Sequence, residues 1–123
     1  MKKILIAALC FASPILAQDG AHLSLKLEMQ QTIKKGNTYL LSKQHAEGYW
    51  GNPELPAFTA LTLRSLLSDP SLDLKKPLPE NYTRGLTWLI AQQQENGGIY
   101  SIGLATYNTA SSIMALMAAD PVK

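Results

Sequence analysis

Cysteine is almost missing from this sequence of 123 residues, since Cys10 is its one cysteine. A lone cysteine excludes an intramolecular disulfide and a zinc site built from several thiolates. Charged residues make up 16% of the chain and aromatic residues 7%. The hydrophobic share of 46% is nevertheless typical of a globular protein and argues against disorder. A chain of this length has room for one small domain.

The amino terminus has the three parts of a secretory signal peptide. Lys2 and Lys3 are basic, residues 4–12 are apolar, and residues 13–17 end in a cleavage site after Ala17. This pattern predicts a signal peptide over residues 1–17, which is too short to span a bilayer, and a secreted or periplasmic protein. Cys10 lies within the apolar stretch and follows Leu9, which is too large for a lipobox, so we predict no lipid anchor.

The small positive charge belongs to this leader. Without Lys2 and Lys3, nine basic residues face nine acidic ones, and the formal net charge falls from +2 to 0. A neutral chain without a basic patch predicts no nucleic-acid partner and no anionic membrane surface as a partner. Nothing after the leader predicts a transmembrane segment.

Two stretches of the chain resemble each other. Residues 35–50 are echoed by residues 84–100, and residues 58–63 are echoed by residues 108–113. A spacing of 50 residues connects Gln44 with Gln94, Gly48 with Gly98, Trp50 with Tyr100, Thr59 with Thr109, and Leu66 with Leu116. A fixed period of this size indicates a repeat architecture, in which each unit buries its apolar face against its neighbours.

The hydrophobic spacing and the helix-breaking residues predict four helices. The first runs from about Ser24 to about Gln44; residues 23–29 alternate like a strand, but no second strand is available to pair with them. The others run from Pro56 to a stop at Asp69-Pro70, from Pro79 to Gln93 or Gln94, and from Asn108 or Thr109 to about Ala119. We therefore predict an all-α mature domain, residues 18–123, with two helical hairpins at about 24–70 and 79–121.

The matching residues suggest a structural role. A glutamine at a helix end can bind the unpaired backbone groups of a neighbouring helix terminus. The glycine four residues later permits a positive φ, and the aromatic residue two positions beyond it can cover the turn. We favour this structural staple over a ligand site, and a simple core position for Trp50 is the alternative.

Gln44-x3-Gly48-x-Trp50 resembles the QW motif of the terpene cyclase and protein prenyltransferase superfamily, and Gln94-x3-Gly98-x-Tyr100 resembles a degenerate second copy. Residues 97–109 are also similar to secreted bacterial proteins with squalene-cyclase-like repeats. The matches cover most of residues 28–120. The resemblance implies part of an α/α toroid, in which an inner ring of helices is surrounded by an outer ring. It also implies an apolar ligand, such as an isoprenoid, in a central cavity.

The catalytic motifs of that superfamily are not in the sequence. There is no Asp-x-Asp-Asp box, no Asp-Asp-x-x-Asp motif and no zinc-ligand set, and we predict no catalytic residue, metal or cofactor. Asp69 and Asp73 are interpreted as a helix stop and a solvated loop charge, and His22 and His45 as surface residues.

Tyr107, Asn108 and Thr109 are the best candidates for contact with a ligand, because they lie where an inner helix begins and could face a cavity. The alternative, which we favour, is that Asn108 or Thr109 caps this helix and that Tyr107 packs under the turn.

A closed toroid takes more helical pairs than two, and stacked repeats need at least about three units. We therefore expect the amino-terminal part of a longer protein, a truncated gene product, a self-associating module, or one completed by further repeats. The favoured function is a non-catalytic binding or scaffold module. The alternatives are part of an isoprenoid cyclase or transferase whose catalytic acids lie beyond residue 123, and part of a toroid-fold polysaccharide-active enzyme.

Overall fold

The structure, a computed structural model, describes residues 13–120 and is helical. It contains α1 (Ser13–Ser42), α2 (Pro56–Leu67), α3 (Glu80–Ile90) and α4 (Ala105–Ala119), and the described range has no strand. The predicted all-α fold class is therefore confirmed. Residues 1–12, most of the predicted signal peptide, lie outside the described range. Among the described helices, none combines the length and the apolar character that crossing a membrane requires.

The chain divides into two units, one up to Gly36 and one from Asn37 onward. The first unit contains most of α1, which begins eleven residues before the predicted start at Ser24. The alternating residues 23–29 are helical, so the strand alternative is wrong. Helical geometry places every second residue on opposite sides of the axis, and this alternation therefore forms no single apolar face. Leu23, Leu25, Leu27 and Met29 are each more than half exposed.

The second unit contains the last turns of α1 and the other three helices. Helix α2 begins at Pro56, as predicted, because a missing N–H costs nothing in the first helical turn. It ends at Leu67, just before Asp69-Pro70. Pro79 precedes the first residue of α3, Glu80, whose charge suits the positive end of the helix dipole. Helix α3 ends at Ile90, before the predicted Gln93 or Gln94, because Gln93 pairs in an isolated β-bridge with Ile99.

Helix α4 begins at Ala105, three residues before the predicted start, and the prediction that Asn108 or Thr109 caps it is wrong. The capping position is Leu104, a left-handed residue with φ of 45°. No side chain caps this end. The Asn108 N–H donates to the Leu104 carbonyl at 2.9 Å within the helix.

The core of the second unit lies between α2 and its neighbours. Helix α2 packs against α4 and, less extensively, against α3. The buried apolar cluster consists of Trp50, Ala60, Leu63, Leu66, Leu67, Tyr82, Leu89, Ile99, Ala115 and Ala118. Leu40 and Leu41, from the end of α1, pack against this cluster. Full burial of a leucine side chain stabilises the fold by about 2 kcal/mol, and α2 supplies three of the buried leucines, Leu63, Leu66 and Leu67.

Candidate interaction surface

The turn between α1 and α2 is joined to α3 by Gln44. Its Nε2 donates to the Gly48 carbonyl at 2.9 Å and to the Asn81 carbonyl at 2.8 Å. Its Oε1 accepts from Asn81 Nδ2 at 3.2 Å and from Arg84 Nη2 at 2.9 Å. One half-buried glutamine thus binds its own turn and the first residues of α3, which is the helix-tying role that the sequence suggests.

Trp50 closes this turn from the core side. Its indole N–H donates to the Leu40 carbonyl at 2.6 Å, and its side chain is 4% exposed. The Trp50 backbone N–H donates to Thr59 Oγ1 at 3.0 Å, which ties the turn to α2. Trp50 is therefore a core aromatic residue that also carries hydrogen bonds between elements.

The turn between α3 and α4 makes the same hydrogen bonds, but with Gln93, Gly97 and Ile99. Gln93 Nε2 donates to the Gly97 carbonyl at 3.3 Å, as Gln44 does to Gly48. Gly97 has φ of 85° and Gly48 has φ of 108°. The Ile99 N–H donates to Thr109 Oγ1 at 3.0 Å, as Trp50 does to Thr59. Ile99, at 5% exposed, takes the buried position of Trp50.

The predicted register of the second copy is therefore wrong by one residue. Gln94, Gly98 and Tyr100 do not correspond to Gln44, Gly48 and Trp50. The helix and turn repeat at a spacing of 49 residues, whereas Thr59 and Thr109 repeat at 50, because one additional residue lies between Ile99 and Thr109. The spacing from Lys35-Gly36 to Arg84-Gly85 is also 49 and is the sequence signal for this register.

The three displaced residues hold the second turn in other ways. Gln94 Nε2 donates to the Tyr100 carbonyl at 2.7 Å and to the Gln92 carbonyl at 3.2 Å. A Cβ on Gly98 would lie 2.7 Å from the Tyr100 ring, so this position cannot carry a side chain without a shift. The Tyr100 hydroxyl accepts from Asn96 Nδ2 at 2.8 Å. These three residues therefore contact their own turn, in roles that differ from those of Gln44, Gly48 and Trp50.

Asn108 joins α4 to the start of α2. Its side chain is fully buried; Oδ1 accepts from the Ala57 N–H at 3.0 Å, and Nδ2 donates to the Gly103 carbonyl at 3.2 Å. Ala57 lies in the first turn of α2, where backbone N–H groups have no partner within the helix. Asn108 therefore caps a neighbouring helix rather than its own.

The three candidate ligand-contact residues have different surroundings. The oxygen and the nitrogen of the Asn108 side-chain amide are both hydrogen-bonded to backbone groups. Thr109 is half-buried, and its hydroxyl accepts from the Ile99 N–H. Tyr107 is 51% exposed, so the expectation that it packs under the turn is wrong. Of the three, Tyr107 is the side chain placed to contact another molecule.

Tyr107 belongs to an exposed stripe on the side of α4 that α2 does not cover. The buried residues of α4 are Asn108, Ser111, Ser112, Ala115 and Ala118. Between them lies a stripe at helical spacing, which we name the α4 face: Tyr107, Ala110, Ile113, Met114 and Met117, all exposed and uncharged.

An open cavity of about 410 Å³ lies beside this face. It is lined by Asn96, Gly98, Tyr100, Ala105, Thr106, Thr109, Ala110 and Ile113. Thr109, one of the candidate residues, is part of this lining, although its hydroxyl accepts a hydrogen bond from the Ile99 N–H. The cavity therefore joins the second turn to the α4 face in one continuous surface.

Two titratable groups of the second unit have shifted pKa values. Hydrogen bonds from the Ser71 hydroxyl and the Ser71 N–H, with a smaller contribution from Asn37, lower the pKa of Asp69. Burial, and to a lesser degree the charge of Asp69, raise the pKa of Tyr82. Asp69, predicted as a helix stop, therefore also accepts hydrogen bonds in the loop after α2. His45 stacks on Tyr49 with ring centroids 4.3 Å apart.

Arg84 is a charged side chain at the junction between the first turn and α3. Its Nε is buried without a hydrogen-bond partner, and its Nη1 lies 3.7 Å from Glu80 Oε1. A second open cavity of about 410 Å³ lies beside it, lined in part by Glu47 and Trp88. Among residues 13–120, no group of three or more His, Cys, Asp or Glu side chains is arranged to hold a metal ion.

Comparison with known proteins adds no relative. No family model matches the chain, no curated protein matches it, and no solved structure matches it.

Proposed function

We propose that residues 37–120 are two units of a helical repeat of the α/α-toroid type, and that the protein is an exported, non-catalytic binding scaffold. The observation that carries this proposal is the shared geometry of the two turns. Gln44, Gly48 and Thr59 make the same hydrogen bonds in the first turn as their counterparts in the second. Two separate stretches of the chain that share one local hydrogen-bond geometry support a repeating unit.

The use of the polar side chains supports a scaffold. Gln44 binds the start of α3, Asn108 binds the start of α2, and Thr59 binds the turn before its own helix. Asn108 satisfies an N–H that the start of α2 leaves unpaired, and Gln44 and Thr59 satisfy backbone groups of the first turn and of α3. Side chains employed in this way position helices, and the α4 face is an apolar surface that stays exposed. The proposed ligand is accordingly an apolar surface or molecule; the family resemblance adds isoprenoids to that class.

The test is the addition of a third unit. A copy of residues 71–121 is inserted after Pro121, so that Asp120-Pro121 precedes Ser71 as Asp69-Pro70 does in the natural chain. If the units stack, the free energy of unfolding rises and unfolding by denaturant remains one cooperative transition. The matched control is the same insertion with Ala115→Asp in the added copy, because the equivalent alanine is fully buried.

The two possible failures are separate. An added unit that unfolds on its own, or that stabilises no more than the Asp-bearing control, contradicts the repeat architecture. Conversion of a polyprenyl diphosphate by the purified protein contradicts the non-catalytic role and leaves the architecture in place.

A further inference from the structure

Four of the five residues of the α4 face correspond to buried positions of α2, and the fifth, Met114, corresponds to the exposed Arg64. Ala57, Ala60, Leu63 and Leu67 of α2 are all buried, and residues 50 positions later are Tyr107, Ala110, Ile113 and Met117. The register at these positions is the one that Thr59 and Thr109 define through their hydrogen bonds. The same helical positions are therefore covered in one copy and open in the other.

The second turn is also uncovered, whereas the first turn is covered by α3. A Cβ on Gly48 would lie 2.6 Å from the Arg84 carbonyl oxygen, so α3 covers this glycine, whereas Gly97 has no atom within 4 Å of its corresponding position. Gln44 is half-buried and bonds to Asn81 and Arg84 of α3, while Gln93 is exposed and its Nε2 bonds to Gly97. The second turn and α4 thus expose positions whose counterparts in the first turn and α2 are covered by other parts of the protein.

The complementary surface is on the same chain. The buried positions Asn108, Ser111, Ser112 and Ala115 of α4, which packs on α2, correspond to Phe58, Leu61, Thr62 and Ser65. We name these four residues the α2 face; they lie on one side of the helix and carry no charge. Phe58 is 48% exposed and Leu61 is 44% exposed. Both faces are apolar at their centres and neither brings an unpaired charge into a contact.

We propose, as an extension of the scaffold function above, that the α4 face binds the α2 face of a second copy of this chain, head to tail. The contact would continue the α2 to α4 packing from one molecule into the next, with different surfaces on the two partners. Such a heterologous contact forms a closed ring if its rotation closes and an open chain if it does not. Phe58 occupies the position of Asn108, so this contact relies on apolar burial where the intramolecular one adds a hydrogen bond.

The experiment is sedimentation velocity over about a hundredfold range of protein concentration. The protein is expressed from the full coding sequence and purified in the form in which the cells accumulate it. We expect the mean sedimentation coefficient to rise with concentration for the natural protein. Met117→Asp removes the α4 face and Leu61→Asp removes the α2 face, and each variant should associate roughly a hundredfold more weakly because burying an unpaired carboxylate is costly.

The decisive sample is an equimolar mixture of these two variants. Each retains the face that the other lacks, so a head-to-tail contact predicts a one-to-one heterodimer and nothing larger. The matched control is Ile102→Asp, which charges an equally exposed apolar residue in a loop whose counterparts in the first copy are also exposed. It should associate like the natural protein, and circular dichroism should show unchanged helix content in all three variants.

Three results would overturn the proposal: a natural protein that stays monomeric throughout, variants that still associate, or a mixture that stays monomeric. If Leu61→Asp lowers the helix content, Leu61→Ser takes its place in the same mixture. A monomeric protein that a third unit nevertheless stabilises would refute the second copy as the partner and leave the repeat scaffold intact.

Discussion

At the scale of single residues, two glycines at matching sequence positions have opposite surroundings. A Cβ on Gly85 would lie 2.8 Å from the Trp50 ring and 3.0 Å from Leu63 Cδ2. A Cβ on Gly36 meets no atom within 4 Å. Both residues are within helices, where alanine is preferred by about 1 kcal/mol in the absence of steric conflict.

We therefore predict opposite effects of the same substitution. Gly85→Ala should lower the free energy of unfolding by roughly 1–3 kcal/mol, because the added methyl group overpacks the core. Gly36→Ala should leave it unchanged or raise it by up to about 1 kcal/mol. Urea denaturation of both variants measures the difference, and an equally tolerated Gly85→Ala would mean that α3 does not pack on Trp50 as described.

The hydrogen bonds of Asn108 depend on the tertiary structure, because its side chain bonds to the start of another helix. Asn108→Ala leaves the Ala57 N–H and the Gly103 carbonyl without this partner inside the protein. We predict a loss of roughly 2 kcal/mol or more in unfolding free energy, since a buried unsatisfied group costs about 1–3 kcal/mol. Hydrogen exchange gives the specific measurement: the Ala57 amide should exchange faster in the variant, and unchanged protection of Ala57 would argue against the cap.

At the scale of elements, the turns and the loop after α2 decide how the helices are joined. Asp69 holds the loop between α2 and α3: its Oδ1 accepts from the Ser71 N–H at 2.8 Å and from the Ser71 hydroxyl at 2.7 Å. Its Oδ2 accepts from Asn37 Nδ2 at 2.7 Å. These bonds favour the carboxylate and hold the pKa of Asp69 below its ordinary value of 3.8.

The sign of the pH effect follows from that lowered pKa. Stability from the Asp69 carboxylate is complete above the ordinary pKa and is lost as the pH falls through the lower pKa of the folded state. We predict that Asp69→Asn is less stable than the natural protein at neutral pH and that the gap narrows once the pH drops below 3.8. Thermal melts of both proteins across this range measure the gap, and a constant gap would contradict the assignment.

At the same scale, the four helices could be predicted from the sequence better than their ends. Pro56 and Asp69-Pro70 mark the bounds of α2 by local backbone chemistry, so the prediction is accurate there. The start of α4 depends instead on Leu104 in a left-handed conformation, which no residue preference reveals. The predicted register of the second turn is wrong for a related reason: Gly97 and Gly98 are adjacent in sequence, and nothing in their own residue type indicates that Gly97 has the positive φ.

At the scale of the whole molecule, the uncovered α4 face links stability to association. If it binds a second copy, folding and assembly share one equilibrium, and the melting temperature depends on protein concentration. We predict that the melting temperature of the natural protein rises with concentration, whereas that of Met117→Asp does not. Calorimetric scans at several concentrations measure this; equal slopes for the two proteins would contradict the linkage.

The sequence by itself determined the all-α class and the presence of two similar stretches and a hydrogen-bonding glutamine at position 44, because helix periodicity, proline and glycine act locally. Only the tertiary structure decided which residues that motif joins. Gln44 meets α3, and Asn108 caps α2 from 51 residues away. Tyr107 is exposed while its neighbour Asn108 is fully buried, because that assignment depends on which side of α4 packs against α2.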